Sequence, residues 1–187
     1  MKTLNLYSID SVDHIVYPED YEEITLSSPA LGIFTDFRKY KPLVIDANTL
    51  AVEAQSLMAK AHVNLKIVLD ENKNFCGVVD LYTLSERNIV KRVSNGEQRT
   101  DLVVTDLMLP SSKMKALDYA ELEAAFVSDV VETLKRNGLQ HCLVVDHATH
   151  EIRGLISSSD IARKLRIKLE LSKALTFAEI FSALQPS

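Results

Sequence analysis

Hydrophobic positions along this chain fall into short apolar runs and helical stripes, and the same succession of them occurs twice. In the first half, Leu43-Val44-Ile45 reads as a strand. Ala54, Leu57, Met58 and Ala61 then fall at i, i+3, i+4 and i+7, one face of a helix that Asn48 or Thr49 can cap. Ile67-Val68-Leu69 and Cys76-Gly77-Val78-Val79 are two further strands around the polar turn 70–74. A second helix covers 84–90 and ends before Ser94-Asn95-Gly96. In the second half, 114–117 is the first strand, and Ser128 can cap a helix carrying Val130, Val131 and Leu134. Asn137-Gly138 stops that helix, because glycine takes the left-handed conformation without a Cβ clash. Leu143-Val144-Val145 and 152–156 are the paired strands, and a helix from about Asp160 to Leu171 closes the series.

The two halves superimpose as sequence. Asp70 and Asp146 are 76 residues apart and Gly77 and Gly154 are 77 apart, so the second copy carries one extra loop residue. Each repeat is strand–helix–strand–strand–helix, with short strands apolar on both sides that require cover on both faces. The pattern predicts an α/β fold built from one unit used twice, with the cleft between the copies as the first place to look for function. The expected division is an N-terminal extension over 1–40, repeat one over 41–95, a linker over 96–103, repeat two over 104–171 and a tail over 172–187. Residues 1–27 read as a polar extension. Ser28-Pro29 has the form of a cap and first helical residue, predicting a short helix to about Phe37 whose Leu31, Phe34 and Phe37 dock on the repeats. Thr176 and Glu179 have capping-box spacing for a last helix with Phe177, Ile180, Phe181 and Leu184.

Composition narrows the function classes. The 187 residues are 47% hydrophobic and 25% charged, enough to bury a core. Twenty-one Lys and Arg against 26 Asp and Glu give a net charge of −5, which argues against counterion-driven nucleic-acid binding. Cys76 and Cys142 lie in or beside apolar strands without C-x-x-C spacing, so neither a zinc site nor a redox pair is indicated. His147 and His150 flank a turn without a third ligand in view. The first six residues lack the apolar core of a signal peptide, and no run approaches the roughly 18 apolar residues of a membrane span. A cytoplasmic, soluble protein is expected. No catalytic constellation is visible: Ser157 has no G-x-S-x-G context, and there is no P-loop.

The element order, with Gly154-Leu155-Ile156-Ser157-Ser158-Ser159-Asp160 and Asn137-Gly138-Leu139-Gln140-His141-Cys142-Leu143-Val144-Val145-Asp146, resembles the CBS domain, named for cystathionine β-synthase. Val104-Thr105-Asp106-Leu107-Met108 is similar to the family's lead-in segment. The resemblance covers about residues 41–170. It implies a tandem pair packed with pseudo-twofold symmetry around two clefts, each able to take an adenosine-containing ligand. Such modules often form disc-shaped homodimers and regulate an attached or partner protein without catalysis.

Carried onto this sequence, the family's ribose-binding aspartate is Asp160, whose carboxylate can accept from both vicinal hydroxyls. Ser157 and Ser159 precede a helix and could hold hydroxyls or phosphate. The competing explanation is that these serines only cap the helix and Asp160 only complements its dipole. By position the adenine shell would include Lys115, Ala116, His141 and Cys142, with Arg163 reaching a phosphate. Repeat one departs: Asp80, Tyr82 and Thr83 stand where repeat two has Ser157, Ser159 and Asp160. One competent cleft per chain is expected, taking AMP, ADP or ATP ahead of S-adenosylmethionine, NAD or cyclic dinucleotides. The alternative is a dimerising scaffold that binds no nucleotide. Leu165, Leu169, Phe177, Ile180 and Phe181 are candidate association residues alongside the repeat helices.

Overall fold

The computed structural model describes residues 23–166 and 177–184. Two four-stranded sheets carry the chain. Repeat one contributes β2 (Val44–Asp46), α1 (Ala51–Lys60), β3 (Leu65–Leu69), β4 (Phe75–Asp80) and α2 (Glu86–Ser94). Repeat two contributes β6 (Ala116–Asp118), α4 (Tyr119–Ala124), α5 (Val127–Arg136), β7 (His141–Asp146), β8 (Glu151–Ser157) and α6 (Ser158–Lys164). In each, the first strand pairs parallel with the second, which pairs antiparallel with the third. The register shifts fall at matching places, between Val68 and Leu69 and between Val144 and Val145.

Each sheet is completed by a strand from the segment ahead of the other repeat. β1 (Thr35–Asp36) pairs antiparallel with β8, giving the order β1-β8-β7-β6. α3 (Val104–Leu107) and β5 (Leu109–Pro110) precede repeat two, yet β5 pairs with β4, giving β2-β3-β4-β5. The exchange is reciprocal. Ala51 N donates to Leu102 O on one side, and Val127 N donates to Ser28 O on the other. Leu102 and Val104 are buried in the repeat-one core, and Ala30, Ile33 and Phe34 in the repeat-two core.

The two glycines that mark the repeats explain how the borrowed strands fit. A Cβ on Gly77 would overlap the Leu109 carbonyl oxygen, and one on Gly154 the Thr35 carbonyl oxygen and the Phe34 ring. Both positions need a bare backbone for close approach. Between the sheets lies a third apolar cluster of Ile67, Val78, Leu143 and Leu155, bordered by Phe37, Leu65 and Met114.

Several elements differ from their sequence signals. Residues 28–37 form not a helix but a 3-10 turn at Ala30–Ile33 followed by β1, because pairing with β8 outcompetes a local helix signal. Leu31 is left exposed while Phe34 is buried. α1 is capped at Leu50 without a side-chain bond, rather than by Asn48 or Thr49. α5 begins at Val127, where Asp129 Oδ2 accepts the Phe126 N–H, so Ser128 lies inside the first turn. The first strand of repeat two starts at Ala116 instead of Met114, and α6 starts two residues before Asp160. Gly138 sits after α5 with φ 61°, the left-handed stop that the sequence requires.

α7 (Phe177–Leu184) packs on α5 and α6. Ile180 is fully buried in the repeat-two core, which withdraws it from any association surface, and Leu165 is partly buried against that core. Residues 1–22, Leu169, Thr176 and the side chains of Phe177, Phe181 and Leu184 lie outside what the structure describes. No helix among the described residues is long and apolar enough to cross a membrane.

Candidate functional site

In repeat two the strand runs into the helix without a loop: β8 ends at Ser157 and α6 starts at Ser158. This junction is possible because Ser158 N donates to Gln140 O at 3.0 Å, tying the turn to the chain that enters β7. Ser157 caps the helix, its Oγ accepting from Asp160 N at 3.2 Å. The same hydroxyl donates to Asp160 Oδ2 at 3.0 Å and lies 3.2 Å from Ser159 Oγ. Arg163 Nη2 donates to Asp160 Oδ1 at 2.9 Å. Four of the expected residues therefore form one bonded group. The capping explanation is literally true of Ser157, and it leaves the carboxylate in use at both oxygens.

The Asp160 side chain is 37% exposed and Arg163 76% exposed. Their ion pair is worth at most about 1 kcal/mol at such exposure.

His141 opens β7 directly opposite Ser157, so the two side chains share a face. Its Nε2 lies 2.8 Å from Asp80 Oδ2, across the boundary between the repeats, and its buried Nδ1 has no hydrogen-bond partner among the described residues. Asp80 ends β4, and its Oδ1 accepts the Thr83 N–H at 2.7 Å while Thr83 Oγ1 donates to Asp80 O at 2.9 Å. Burial pushes the Asp80 carboxyl upward. The bond and charge of His141, together with the Thr83 bonds, outweigh that and hold it below the usual carboxylate range. In repeat one the motif positions thus satisfy each other, and a turn of residues 81–85 separates strand from helix.

Cys142 does not join the group. Neighbours on a strand face opposite ways, and Cys142 points into the repeat-two core, where burial pushes its thiol up to about 11. Lys115 and Ala116 are exposed beside β7; Lys115 O accepts Leu143 N, and Ala116 is in register with Leu143. Neither is bonded to the Ser157–Asp160 group. His147 and His150 are exposed, and His150 occupies a left-handed position in the β7–β8 turn. Among the described residues no group of three or more His, Cys, Asp or Glu is placed to hold a metal. The residue that sequence reasoning missed is Asp80 as a partner of His141. Strand alternation turns both toward the space between the sheets, but no local spacing marks their meeting.

A family model described as the CBS domain matches residues 34–89 and 122–167. Among solved structures, an uncharacterised conserved protein from Pyrococcus horikoshii is 19% identical, with TM-score 0.53 over 80% of this chain and 100% of that one. A conserved CBS domain protein of unknown function from Thermoplasma acidophilum is 21% identical, with TM-score 0.50 over 80% of this chain and 76% of that one. CBSX2 in complex with AMP is 23% identical, with TM-score 0.49 over 76% and 99% of the two chains; CBSX2 is a CBS-pair protein from Arabidopsis thaliana. At these identities the likeness is one of fold. A search of curated proteins gives no match.

Proposed function

Because the chain belongs to the CBS domain family, matched once in each half, we propose that it is a non-catalytic, cytoplasmic regulatory module with one adenosine-binding cleft. The ligand belongs to the AMP, ADP and ATP class. The observation that carries this reading is the bonded group Ser157, Ser159, Asp160 and Arg163 at an uninterrupted strand-to-helix junction. Vicinal ribose hydroxyls replace Ser157 Oγ and Arg163 Nη2 as donors to Asp160, exchanging two internal charge-assisted bonds for two to the ligand. Arg163, once released, is free to meet a phosphate. His141 and the backbone of Lys115 and Ala116 complete the wall on the β6–β7 side. Binding changes the junction between β8 and α6, and the module reports that change through contacts with a second copy or another protein.

Thermal unfolding against an adenosine panel tests this directly. A ligand at about 100 times its dissociation constant stabilises by roughly 2.7 kcal/mol. Asp160→Ala is expected to weaken binding by more than about tenfold, the loss of one charge-assisted bond. Unchanged affinity would remove Asp160 from the site. The dimerising scaffold is favoured by exposed Leu57 (58%) on α1 and by exposed Val90 and Val93 on α2. A dimer in sedimentation with no ligand-induced shift would select that reading.

A further inference from the structure

Two of the repeat helices end on the same dipeptide. α2 runs into Asn95-Gly96 and α5 into Asn137-Gly138, and both asparagines keep a helix-like ψ, 8° and 0°. An asparagine followed by glycine can modify itself. The glycine amide nitrogen loses its proton and bonds to the side-chain carbonyl carbon, the bond from that carbon to Nδ2 breaks, and ammonia leaves. Water then opens the resulting succinimide ring to aspartate or isoaspartate. Glycine favours the attack because it has no Cβ to crowd the approach. The ring also requires ψ to turn away from its helical value, so the helix end has to fray first, a local opening of low cost.

Much of that cost is common to the two sites. Gly96 N donates to Val93 O at 3.0 Å and Gly138 N to Lys135 O at 3.0 Å, so each nitrogen gives up one bond before it can react. Space is open beside both glycines, with nothing within 4 Å of a Cβ built on either. The tethers around the asparagines differ. Asn137 Nδ2 donates to Thr133 O at 2.7 Å, holding the side chain along α5, and Leu139 N closes the turn on Leu134 O at 3.1 Å. Asn95 is exposed, and its side chain makes no hydrogen bond among the described residues. Nor does Glu97 N close on Arg92 O, the counterpart of the Leu139 bond. The surroundings of Asn95 also set the consequence. Arg92 joins α2 to the lead-in of repeat two, with Nε 3.0 Å from Glu97 Oε2 and Nη2 3.8 Å from Asp106 Oδ1 in α3. A carboxylate made at position 95 would face the negative end of α2.

We propose that Asn95 is a self-modification site, converted by the Gly96 nitrogen to aspartate and isoaspartate while the tethers on Asn137 protect that residue. The conversion puts a negative charge where repeat one meets the linker. In the isoaspartate form it also adds one backbone atom there. Both changes loosen the tie between α2 and α3.

Ageing the whole chain in mildly alkaline buffer, followed by peptide mass spectrometry, reads both sites side by side. The peptide holding Asn95 is expected to gain one mass unit about fivefold faster than the peptide holding Asn137, the factor that one internal hydrogen bond supplies. Backbone-cleavage fragments distinguish isoaspartate from aspartate in the product. In concentrated urea, where neither helix end survives, the two sites should convert at equal rates. Asn95→Gln, whose longer side chain would have to close a six-membered ring, should stay unconverted at this position. Its urea midpoint should hold through ageing while that of the wild type falls. Equal rates in the folded chain, a ratio that persists in urea, or a wild-type midpoint unmoved by conversion overturns the inference.

Discussion

At the scale of single residues, a buried two-bond ion pair lies away from the Ser157–Asp160 group. Asp36, 6% exposed, receives Arg153 through Nε at 2.8 Å and Nη2 at 3.0 Å, and the guanidinium lies 4.2 Å from the centroid of the Tyr119 ring. The Arg153 bond is the main reason that the Asp36 carboxyl is held down to about 2. A carboxyl depressed in the folded state stabilises above its unfolded pKa, and that contribution is lost as pH falls through the folded value. Asp36→Asn is therefore expected to lower stability by on the order of 1–2 kcal/mol at neutral pH, with the deficit closing between about pH 4 and pH 2. Urea unfolding of both proteins across that window measures it; a deficit independent of pH would assign the loss to packing instead. The sequence made Ser157 and Asp160 legible, because they sit in a motif anchored by a repeat. It did not make the Asp80–His141 contact legible, since the two residues belong to different sheets and local spacing says nothing of their meeting. Cys142 was misplaced in the cleft for a simpler reason: adjacency to His141 along a strand means the opposite face.

At the scale of elements, apolar runs gave six of the strands to within a few residues, because their periodicity is local. The exchanged strands β1 and β5 were invisible, being two residues long with partners far away in sequence. Ser28-Pro29 carried a helix signal that the long-range partner β8 overrode. α4 escaped notice because Tyr119–Ala124 is too short to show a full helical stripe. The repeat glycines were recognised, but their reason is packing of the borrowed strands. Gly154→Ala is expected to cost about 1–3 kcal/mol, as its methyl meets the Thr35 carbonyl and the Phe34 ring. Gly138→Ala, at a position with nothing within 4 Å but a left-handed φ, should cost about 1 kcal/mol. Denaturant midpoints of the two variants rank them, and a reversed order would mean that β1 can shift to make room.

At the scale of the whole molecule, the duplication was plain from sequence and the crossing of its lead-in segments was not. A sequence repeat marks where a unit recurs, not which copy each connecting segment serves. Cutting the chain within 96–103 would leave β5 with the half that needs it least and β1 likewise. Neither fragment alone is expected to unfold cooperatively, and mixing the two should restore a single transition. Two independent transitions would show that the borrowed strands are dispensable. The same crossing imposes an order on biosynthesis. Thr35 pairs with Leu155, so β1 leaves the ribosome 120 residues before its partner exists. At about 5–20 residues per second, the nascent chain carries an unpaired strand for roughly 6–24 seconds. β1 is thus made long before it finds its place, and the repeat-two sheet can close only after Leu155 has emerged.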